Sequence, residues 1–244
     1  MEKIRLKEYA AQSVDRYRSM QAIFPEALLH QAYICKFSCN EYIVRFDEDI
    51  RCLFLLLDGR AKIYLVHENG KRALIQFLGK NGFIGELSLI EAEEHSKDVV
   101  AINDCTCLAI PLASAKKQLL EDNAFLLHLS KYLGDKLLKR TEHYTAMQDY
   151  ELKNRLAKYI LQIENNGYFQ EKLTETAEYV GVSYRHLLYT LNKFREEGLL
   201  EKRGRQYFIV SKEALEKLSL KTNRCTNQNS HSVKQTIPST TPRL

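Results

Sequence analysis

The segment Thr174–Leu200 constrains the fold most, because it has the layout of two short helices joined by a glycine turn. Ala177 and Val180 form the apolar side of the first helix, and Gly181 supplies a left-handed turn that most residues resist. Ser183 is placed to cap a second helix, on which apolar residues recur at helical spacing: Leu187, Leu188, Leu191 and Phe194. The segment therefore predicts a helix-turn-helix.

The opposite face of the second predicted helix is polar. Its side chains that can hydrogen-bond to bases or phosphates are Tyr184, Arg185, His186, Tyr189 and Lys193. A helix of this kind can bury one stripe and place the other in the major groove of DNA, where Arg185 can make a bidentate contact to guanine. Two ordinary amphipathic helices with a glycine between them show the same pattern, so this segment alone does not decide the function.

The residues that follow predict a wing. Gly198 ends the second helix as a C′ glycine does, and the range 199–210 is typical of two short strands around a basic glycine turn. The side chains placed to contact phosphates are Lys202, Arg203 and Arg205. Helix, turn, helix and wing together favour a domain that binds double-stranded DNA over a purely structural helical domain.

Charge and composition are ordinary. The 244 residues, 45% hydrophobic and 27% charged, leave room for two small domains, or for one domain with a tail. The net charge of +5 arises mainly in the tail, residues 221–244, which holds four of the 36 basic residues and no acid, so the body has 32 basic residues against 31 acidic ones. Only the local placement of basic residues argues for DNA. The tail is rich in Thr, Asn, Gln, Ser and Pro, and we predict that it is disordered.

No membrane association is expected. No apolar run approaches the ~20 residues of a membrane span, and the first residues, MEKIRLKE, lack the apolar stretch of a signal peptide. We therefore expect a cytoplasmic protein. Its six cysteines are then expected to be reduced; they are Cys35, Cys39, Cys52, Cys105, Cys107 and Cys225.

The N-terminal half predicts a β domain. Residues 1–29 have a helical pattern, whereas residues 30–115 contain short β-rich runs separated by turn signals such as Asn69-Gly70. Strands at this spacing indicate an antiparallel sandwich or barrel. The expected fold class is α+β, with an N-terminal antiparallel β-barrel of the jelly-roll kind, a long dimerisation helix within residues 116–148, and a winged helix-turn-helix over residues 149–220.

The long helix carries an approximate coiled-coil seam. One row at seven-residue spacing contains Leu126, Leu133, Arg140 and Met147, and a second row contains Ser130, Leu137 and Tyr144. The alternative is a helix packed on its own barrel. We favour a homodimer, because helix-turn-helix proteins commonly read two half-sites as a symmetric pair.

The order of a β-barrel, a long helix and a winged helix resembles the Crp/Fnr family of transcription regulators over about residues 30–215. The motif Gly82–Leu89, GFIGELSL, is similar to the family's phosphate-binding cassette, and Gly59 and Gly70 fall at barrel turns. Within the family, three segments are similar to the YeiL-type subgroup: Ala177–Tyr189, Asn154–Ala157 and Cys105–Pro111. The resemblance implies a homodimeric, DNA-binding activator that contacts RNA polymerase.

The resemblance also implies a ligand site in the barrel, formed by Gly85, Glu86, Leu87, His95, Ser96, Arg140 and Thr141. In nucleotide-binding members the glutamate accepts from the ribose 2′-hydroxyl and a later arginine holds the cyclic phosphate. Glu86 is present, but His95 stands at the arginine position and Lys97 replaces an alanine. A neutral histidine cannot hold a phosphate as a guanidinium does. We therefore do not expect a cyclic nucleotide, and Glu86 without any ligand is the alternative.

The cysteines offer a rival sensor. An iron–sulfur cluster takes four thiolates, which Cys35, Cys39, Cys52 and either Cys105 or Cys107 could supply, although their spacing differs from the family's cluster motif. A thiol-redox switch is a second hypothesis. Buried, inert cysteines are the interpretation we favour. The effector is left unknown.

Two other classes of function were compared with the DNA-binding regulator. One is a nucleotide- or redox-sensing module that regulates a partner protein without reading DNA. The other is an enzyme, which we do not expect, because the histidines are scattered and form no cluster at metal-ligand spacing. Relative to well-known family members, Tyr184-Arg185 replaces an Arg-Glu pair and Tyr189 replaces an arginine, so the sequence predicts a different operator.

Overall fold

The computed structural model describes residues 2–220, which form a two-sheet domain, a long helix and a winged-helix domain. The tail expected over residues 221–244, with Cys225, lies outside the described residues. Among the described residues, no helix is both long enough and apolar enough to cross a membrane.

The N-terminal segment differs from the expected run of helices. It contains β1 (Glu2–Arg5), α1 (Leu6–Gln12), α2 (Val14–Gln21) and α3 (Glu26–Leu29). The strand β1 pairs antiparallel with residues 33–36. The sequence pattern does not reveal β1, because this strand forms by pairing with a partner some thirty residues further along the chain. Local residue spacing does not show such a partner. Met20 of α2, Phe24 of the connecting segment and Leu28 of α3 are buried against the β domain.

The β domain is a sandwich of two antiparallel sheets. Its strands are β2 (Tyr33–Phe37), β3 (Tyr42–Val44), β4 (Cys52–Asp58), β5 (Ala61–Val66), β6 (Arg72–Leu78), β7 (Phe83–Ile84), β8 (Asp98–Ala101) and β9 (Cys105–Pro111), with α4 (Glu86–Leu89) after β7. One sheet has the order β1-β2-β9-β4-β7 and the other β3-β8-β5-β6. The jelly-roll prediction is confirmed, but as two sheets rather than a closed barrel. The hairpin predicted at Asn69-Gly70 joins β5 and β6.

Alternation along the strands gives the five-stranded sheet two buried faces. Phe54 and Leu56 point toward the four-stranded sheet and share a core with Ile63 and Val99. Leu53 and Leu55 point the other way, into a core with the N-terminal helices and the long helix. This sheet therefore packs against the second sheet on one side and against helices on the other.

The helical layer consists of α5 (Leu112–Glu121) and α6 (Asn123–Asp149). The carboxylate of Asp122 accepts hydrogen bonds from the backbone N–H groups of Ala124 and Phe125, which caps α6. With 27 residues, α6 is about 40 Å long. It buries Phe125 and Leu129 against the sandwich.

The outer side of α6 does not match the expected seam completely. Leu126 and Leu133 are half-buried against the sandwich of their own protomer, whereas Leu137 and Tyr144 are 65% and 69% exposed. Two residues of the expected seam, Leu126 and Leu133, thus pack on their own domain. At 3.6 residues per turn, residues four apart lie about 40° apart around the helix, and the edge of the packed face falls between these leucines and the exposed row of Leu137 and Tyr144.

The C-terminal domain is a winged helix. It contains α7 (Leu152–Ile163), β10 (Tyr168–Phe169), α8 (Leu173–Val180), α9 (Tyr184–Glu196), β11 (Leu200–Arg203), β12 (Gln206–Ile209) and α10 (Lys212–Ser219). The strands form an antiparallel sheet of order β10-β12-β11. The core combines α7, α9 and α10 through Leu156, Leu191 and Leu215, each 0% exposed.

The winged helix packs on the four-stranded sheet of its own protomer. Tyr64 and Leu74 of that sheet belong to the same buried core as the winged helix. The Lys62 ammonium lies 2.8 Å from a Glu171 carboxylate oxygen, and the Tyr64 hydroxyl donates to Glu175 at 2.9 Å. The two domains therefore share both apolar and polar contacts.

Candidate nucleic-acid interface and sensor cavity

The turn between α8 and α9 is fixed by a glycine and a serine. Gly181 has φ 70°, in the left-handed region, and its N–H donates to the carbonyl of Glu178. The Ser183 hydroxyl accepts from the backbone N–H of His186 at 3.3 Å, which caps α9 as predicted. These two local devices set the direction in which α9 leaves the turn.

The helix α9 has one buried and one exposed face. Leu187 and Leu191 are fully buried, as is Phe194 at 1% exposure. The predicted DNA-contacting residues are all on the exposed side: Tyr184, Arg185, His186, Tyr189 and Lys193. Within residues 2–220, Arg185 has no carboxylate or hydrogen-bond partner, so its guanidinium is free to bind another molecule.

The Lys193 ammonium lies 4.9 Å from the centre of the Tyr189 ring. A side-chain hydrogen bond with Tyr189 and the charge interaction with that residue raise the pKa of Lys193. The ammonium therefore stays charged near neutral pH. The pair presents a positive charge and an aromatic ring together on the exposed face of α9.

The wing is the hairpin of β11 and β12, turned at Gly204 with φ 63°. Lys202 and Arg205 are exposed. Arg203 is exposed too, but its guanidinium binds the Glu201 carboxylate at 2.7 Å and lies 4.1 Å from the Phe208 ring. Among the residues that the structure describes, Lys202 and Arg205 of the wing have no carboxylate partner, while Arg203 is already held against the strand.

The cassette-like motif Gly82–Leu89 comprises β7, Gly85 and α4. Gly85 has φ 88°, and a Cβ on it would approach Ile50 Cγ2 to 2.9 Å, so the position requires glycine. Glu86 begins α4 and is 3% exposed. Its carboxylate binds the Lys136 ammonium of α6 at 2.5 Å, and Lys136 is itself 8% exposed. The cassette and the long helix are thus joined by a buried ion pair.

The cavity beside this ion pair is small, about 30 Å³, and is lined by Gly85, Glu86, Leu87, Lys97 and Lys136 among others. Such a volume has room for about one or two water molecules. The Lys97 ammonium is bound by Glu93. In this conformation the cavity cannot accept a nucleotide.

The remaining predicted ligand residues lie elsewhere. His95 and Ser96 line an open surface groove with residues 46–50, and the Ser96 hydroxyl donates to the Arg45 carbonyl at 2.7 Å. The Arg140 guanidinium donates to Gln76 at 3.0 Å. Thr141 is exposed and donates to the carbonyl one turn earlier in α6. The structure therefore brings only Gly85, Glu86 and Leu87 together.

Sequence reasoning missed Lys136. It lies on the buried face of α6, seven residues after Leu129. A lysine on an apolar helical face is rarely buried without a partner, and Glu86 in the cassette is the acid that supplies it. The helical spacing gives the orientation of Lys136, but only the fold shows that the two groups meet.

The five cysteines within residues 2–220 do not form a metal site. Cys35, Cys52, Cys105 and Cys107 are buried in the core between the sheets, whereas Cys39 is exposed and its thiol donates to the Ile102 carbonyl at 3.0 Å. All five are free thiols. No group of three or more His, Cys, Asp or Glu residues within the described range could hold a metal ion. This arrangement does not fit an iron–sulfur cluster.

Burial also disfavours the thiolate form of three of these cysteines. It raises the pKa of Cys35 and of Cys105 to about 11 and raises that of Cys107 as well. Because the thiolate is the reactive and metal-binding form, these three cysteines are poor candidates for a redox switch. This supports the interpretation of buried, inert cysteines.

Comparison with known proteins gives matches in both domains. Residues 34–122 match the cyclic nucleotide-binding domain and residues 154–218 match the Crp-like helix-turn-helix domain. The regulatory protein YeiL of Escherichia coli O157:H7 is 40% identical over 184 residues, covering 75% of this chain and 84% of that protein. The cAMP-activated global transcriptional regulator Vfr of Pseudomonas aeruginosa is 24% identical, covering 75% and 92%.

Solved structures show the same fold. A CRP-family transcriptional regulator from Thermus thermophilus superposes with a TM-score of 0.59 at 18% identity, covering 76% of this chain and 96% of that one. The superposition shows that the chain shares the overall fold of that protein.

Proposed function

The chain belongs to the Crp/Fnr family of DNA-binding transcription regulators, and we propose that it reads a palindromic DNA site as a homodimer through α9 and the wing. The observation that carries this proposal is the two-sided character of α9. Leu187, Leu191 and Phe194 are buried in the domain core, and the opposite face presents exposed polar side chains. Such a helix is suited to the major groove.

Within that proposal the residues have different roles. Arg185 pairs with guanine through two parallel hydrogen bonds. Tyr184, His186 and Tyr189 contact neighbouring bases or phosphates. Lys193, Lys202 and Arg205 contact phosphates and set the position of the helix without reading sequence. Arg203 supports the wing, because its guanidinium is already bound to Glu201. Ser183 acts by fixing the N-terminus of α9.

The exposed stripe of α6 supports the homodimer. The stripe repeats at intervals of three and four residues and contains Leu127, Ser130, Gly134, Leu137, Thr141 and Tyr144, all exposed. This is the a/d spacing of a coiled coil. Two such helices would bury Leu127, Leu137 and Tyr144, which are 58%, 65% and 69% exposed in the single chain. Symmetric pairing then spaces two α9 helices for half-sites about 34 Å apart.

The sensor domain is proposed to work without a cyclic nucleotide in its cassette. The carboxylate of Glu86 is occupied by Lys136, and the cavity beside it is about 30 Å³. Although Vfr is named as cAMP-activated, this chain has no arginine at the family's phosphate-binding position. The ion pair instead connects the sandwich to α6 from within the chain.

Further parts of the proposal rest on the family alone. We infer that the protein acts in the cytoplasm, activates transcription by contacting RNA polymerase, and has no catalytic activity of its own. The alternative is a sensing module that regulates a partner protein without reading DNA. That alternative predicts no selective DNA binding at all.

The test is selection of binding sites from random duplex DNA, followed by footprinting. We expect an inverted repeat with half-sites about one helical turn apart. Arg185→Ala should weaken binding to that repeat by about 1–3 kcal/mol and relax the preference at one guanine. Arg18→Ala, which removes an exposed arginine from α2, is the matched control. If no sequence is enriched, the proposed function is wrong and the partner-protein alternative stands.

A further inference from the structure

A cavity of about 270 Å³ lies where the sandwich, the long helix and the winged helix meet. Its walls come from β6, α6, α7 and α8, and it shares no lining residue with the small cavity beside Glu86. Its volume is close to the lower end of the ~300–1,000 Å³ range of small-molecule sites. Every domain of the chain therefore contributes to this cavity.

The charged residues around the cavity are mostly basic. Lys139, Arg140, Arg155 and Lys158 line it, against a single acid, Glu142. Lys139 pairs with Asp135 at 2.6 Å. In the described part of the chain, the other three cations have no carboxylate partner. The cavity therefore has a net positive field that favours an anion.

The two arginines in the wall are incompletely satisfied. Arg140 donates to Gln76 through Nε, and Arg155 donates to the Val180 carbonyl through Nη1. Arg140 Nη2 and Arg155 Nε are buried without any hydrogen-bond partner. Within residues 2–220, each buried side-chain polar atom that lacks a partner belongs to a residue lining this cavity; the third is Tyr159 Oη. A buried unpaired donor is unfavourable, and an acceptor group in the cavity would supply what these guanidiniums lack.

The opposite wall is aromatic. The Tyr179 ring lies between three others, with its centre 5.3 Å from Phe77, 5.0 Å from Tyr159 and 4.4 Å from His143. Burial and the neighbouring cations lower the pKa of His143, so its ring is neutral near pH 7. Flat rings beside guanidiniums suit a ligand that is apolar at one end and anionic at the other.

We propose that this interdomain cavity binds a small organic anion with a flat apolar body. Its carboxylate or phosphate oxygens accept from Arg140, Arg155 and Lys158, and its apolar part packs on Tyr179 and Phe77. A ligand held there touches α6, the sensor sheet and the winged helix at once. Its occupancy would therefore change the position of α9, a consequence that rests on the proposed function, whereas binding itself does not.

The test is equilibrium dialysis of the full-length protein with 1-naphthyl phosphate as the probe. We expect saturable binding at one site per protomer. Two partial probes, 1-naphthol and inorganic phosphate, should each bind at least about tenfold more weakly, because each lacks one half of the recognition. Equal binding of naphthol would show a merely hydrophobic site and would overturn the proposal.

Substitutions of residues that line the cavity test whether the probe binds there. Lys158→Gln changes an exposed side chain, so it tests the cavity without a folding defect, and Arg140→Gln removes one of the incompletely paired guanidiniums. Each should weaken binding of 1-naphthyl phosphate about tenfold or more. Arg18→Gln removes the same charge outside the cavity and should leave binding unchanged. No saturable binding, or equal binding by all variants, overturns the site.

A parallel measurement separates the two proposals. DNA affinity is determined with and without saturating 1-naphthyl phosphate on the selected site. A change that disappears in Lys158→Gln supports the link between cavity and α9. Probe binding by a protein that selects no DNA would leave the site in place and reject the proposed function alone.

Discussion

The buried ion pair between Glu86 and Lys136 joins two elements, α4 and α6. Glu86 is 3% exposed and Lys136 8%, so either charge is poorly hydrated if its partner is removed. Breaking a buried ion pair from one side is strongly unfavourable, whereas removing both charges is often close to neutral. The pair therefore offers a sharp test of the closed cassette.

Lys136→Met should lower the free energy of unfolding by about 3–5 kcal/mol, because Glu86 is left buried and unpaired. The double variant Glu86→Gln with Lys136→Met should recover most of that loss. Urea unfolding followed by circular dichroism measures both. Lys131→Met, on an exposed position of the same helix, is the control. Equal stability of the wild type and Lys136→Met would mean that the cassette is open to water in solution.

The cysteines give a second prediction at this scale. Cys39 is exposed, whereas burial raises the pKa of Cys35 and Cys105 to about 11. Since the thiolate is the nucleophile, iodoacetamide at pH 8 should modify Cys39 in the folded protein and leave the buried thiols unmodified. Peptide mass spectrometry reads out each site, with urea-unfolded protein as the control. Rapid labelling of Cys107 would contradict the buried, inert interpretation.

How much of the site the sequence predicts depends on how far apart along the chain the interacting residues lie. Gly181 and Ser183 were predicted because a left-handed turn and an N-cap are set by the residues beside them. Lys136 was missed because its partner Glu86 lies fifty positions away. His95 was assigned to the ligand site by alignment alone, and the fold places it in a surface groove instead.

At the scale of elements, α6 shows what periodicity can and cannot determine. The sequence indicates a long helix with an apolar repeat, and the structure has a 27-residue helix there. Which row faces outward depends on how the sandwich packs against it, and that packing involves Phe83 and Phe125 rather than the repeat itself. Leu126 and Leu133 therefore pack inward, contrary to the expected seam.

The exposed stripe of α6 should hold the dimer. Leu137→Glu places a charge in the predicted seam, where burial without a partner is unfavourable, and we expect the protein to become monomeric and to lose affinity for the palindromic site. Sedimentation velocity measures the oligomeric state. Lys131→Gln makes the same change in charge outside the stripe and should remain dimeric. A dimer that survives Leu137→Glu would place the interface on another surface.

At the scale of the whole molecule, the order of domains was predictable and their docking was not. Each domain is indicated by its own turns and periodicity. The contact between them uses Lys62, Tyr64 and Glu171, which in sequence look like ordinary exposed residues of strands and loops. Only the fold shows that these side chains meet across some hundred residues of chain.

The docking predicts a single cooperative unit. Because Tyr64 and Leu74 of the sensor sheet share a core with the winged helix, the wild type should show one calorimetric unfolding transition. Glu171→Gln leaves the ammonium of Lys62, 5% exposed, without a counter-charge, and undocking of the winged helix would return that ammonium to water. We therefore expect two separate transitions in this variant, and faster thermolysin cleavage near residue 150, between α6 and α7.

The control is Lys117→Met, which breaks an exposed pair with Glu121 and should keep the single transition. An unchanged transition and cleavage rate in Glu171→Gln would show that the apolar contacts alone hold the domains together, and that the polar contacts add specificity rather than stability.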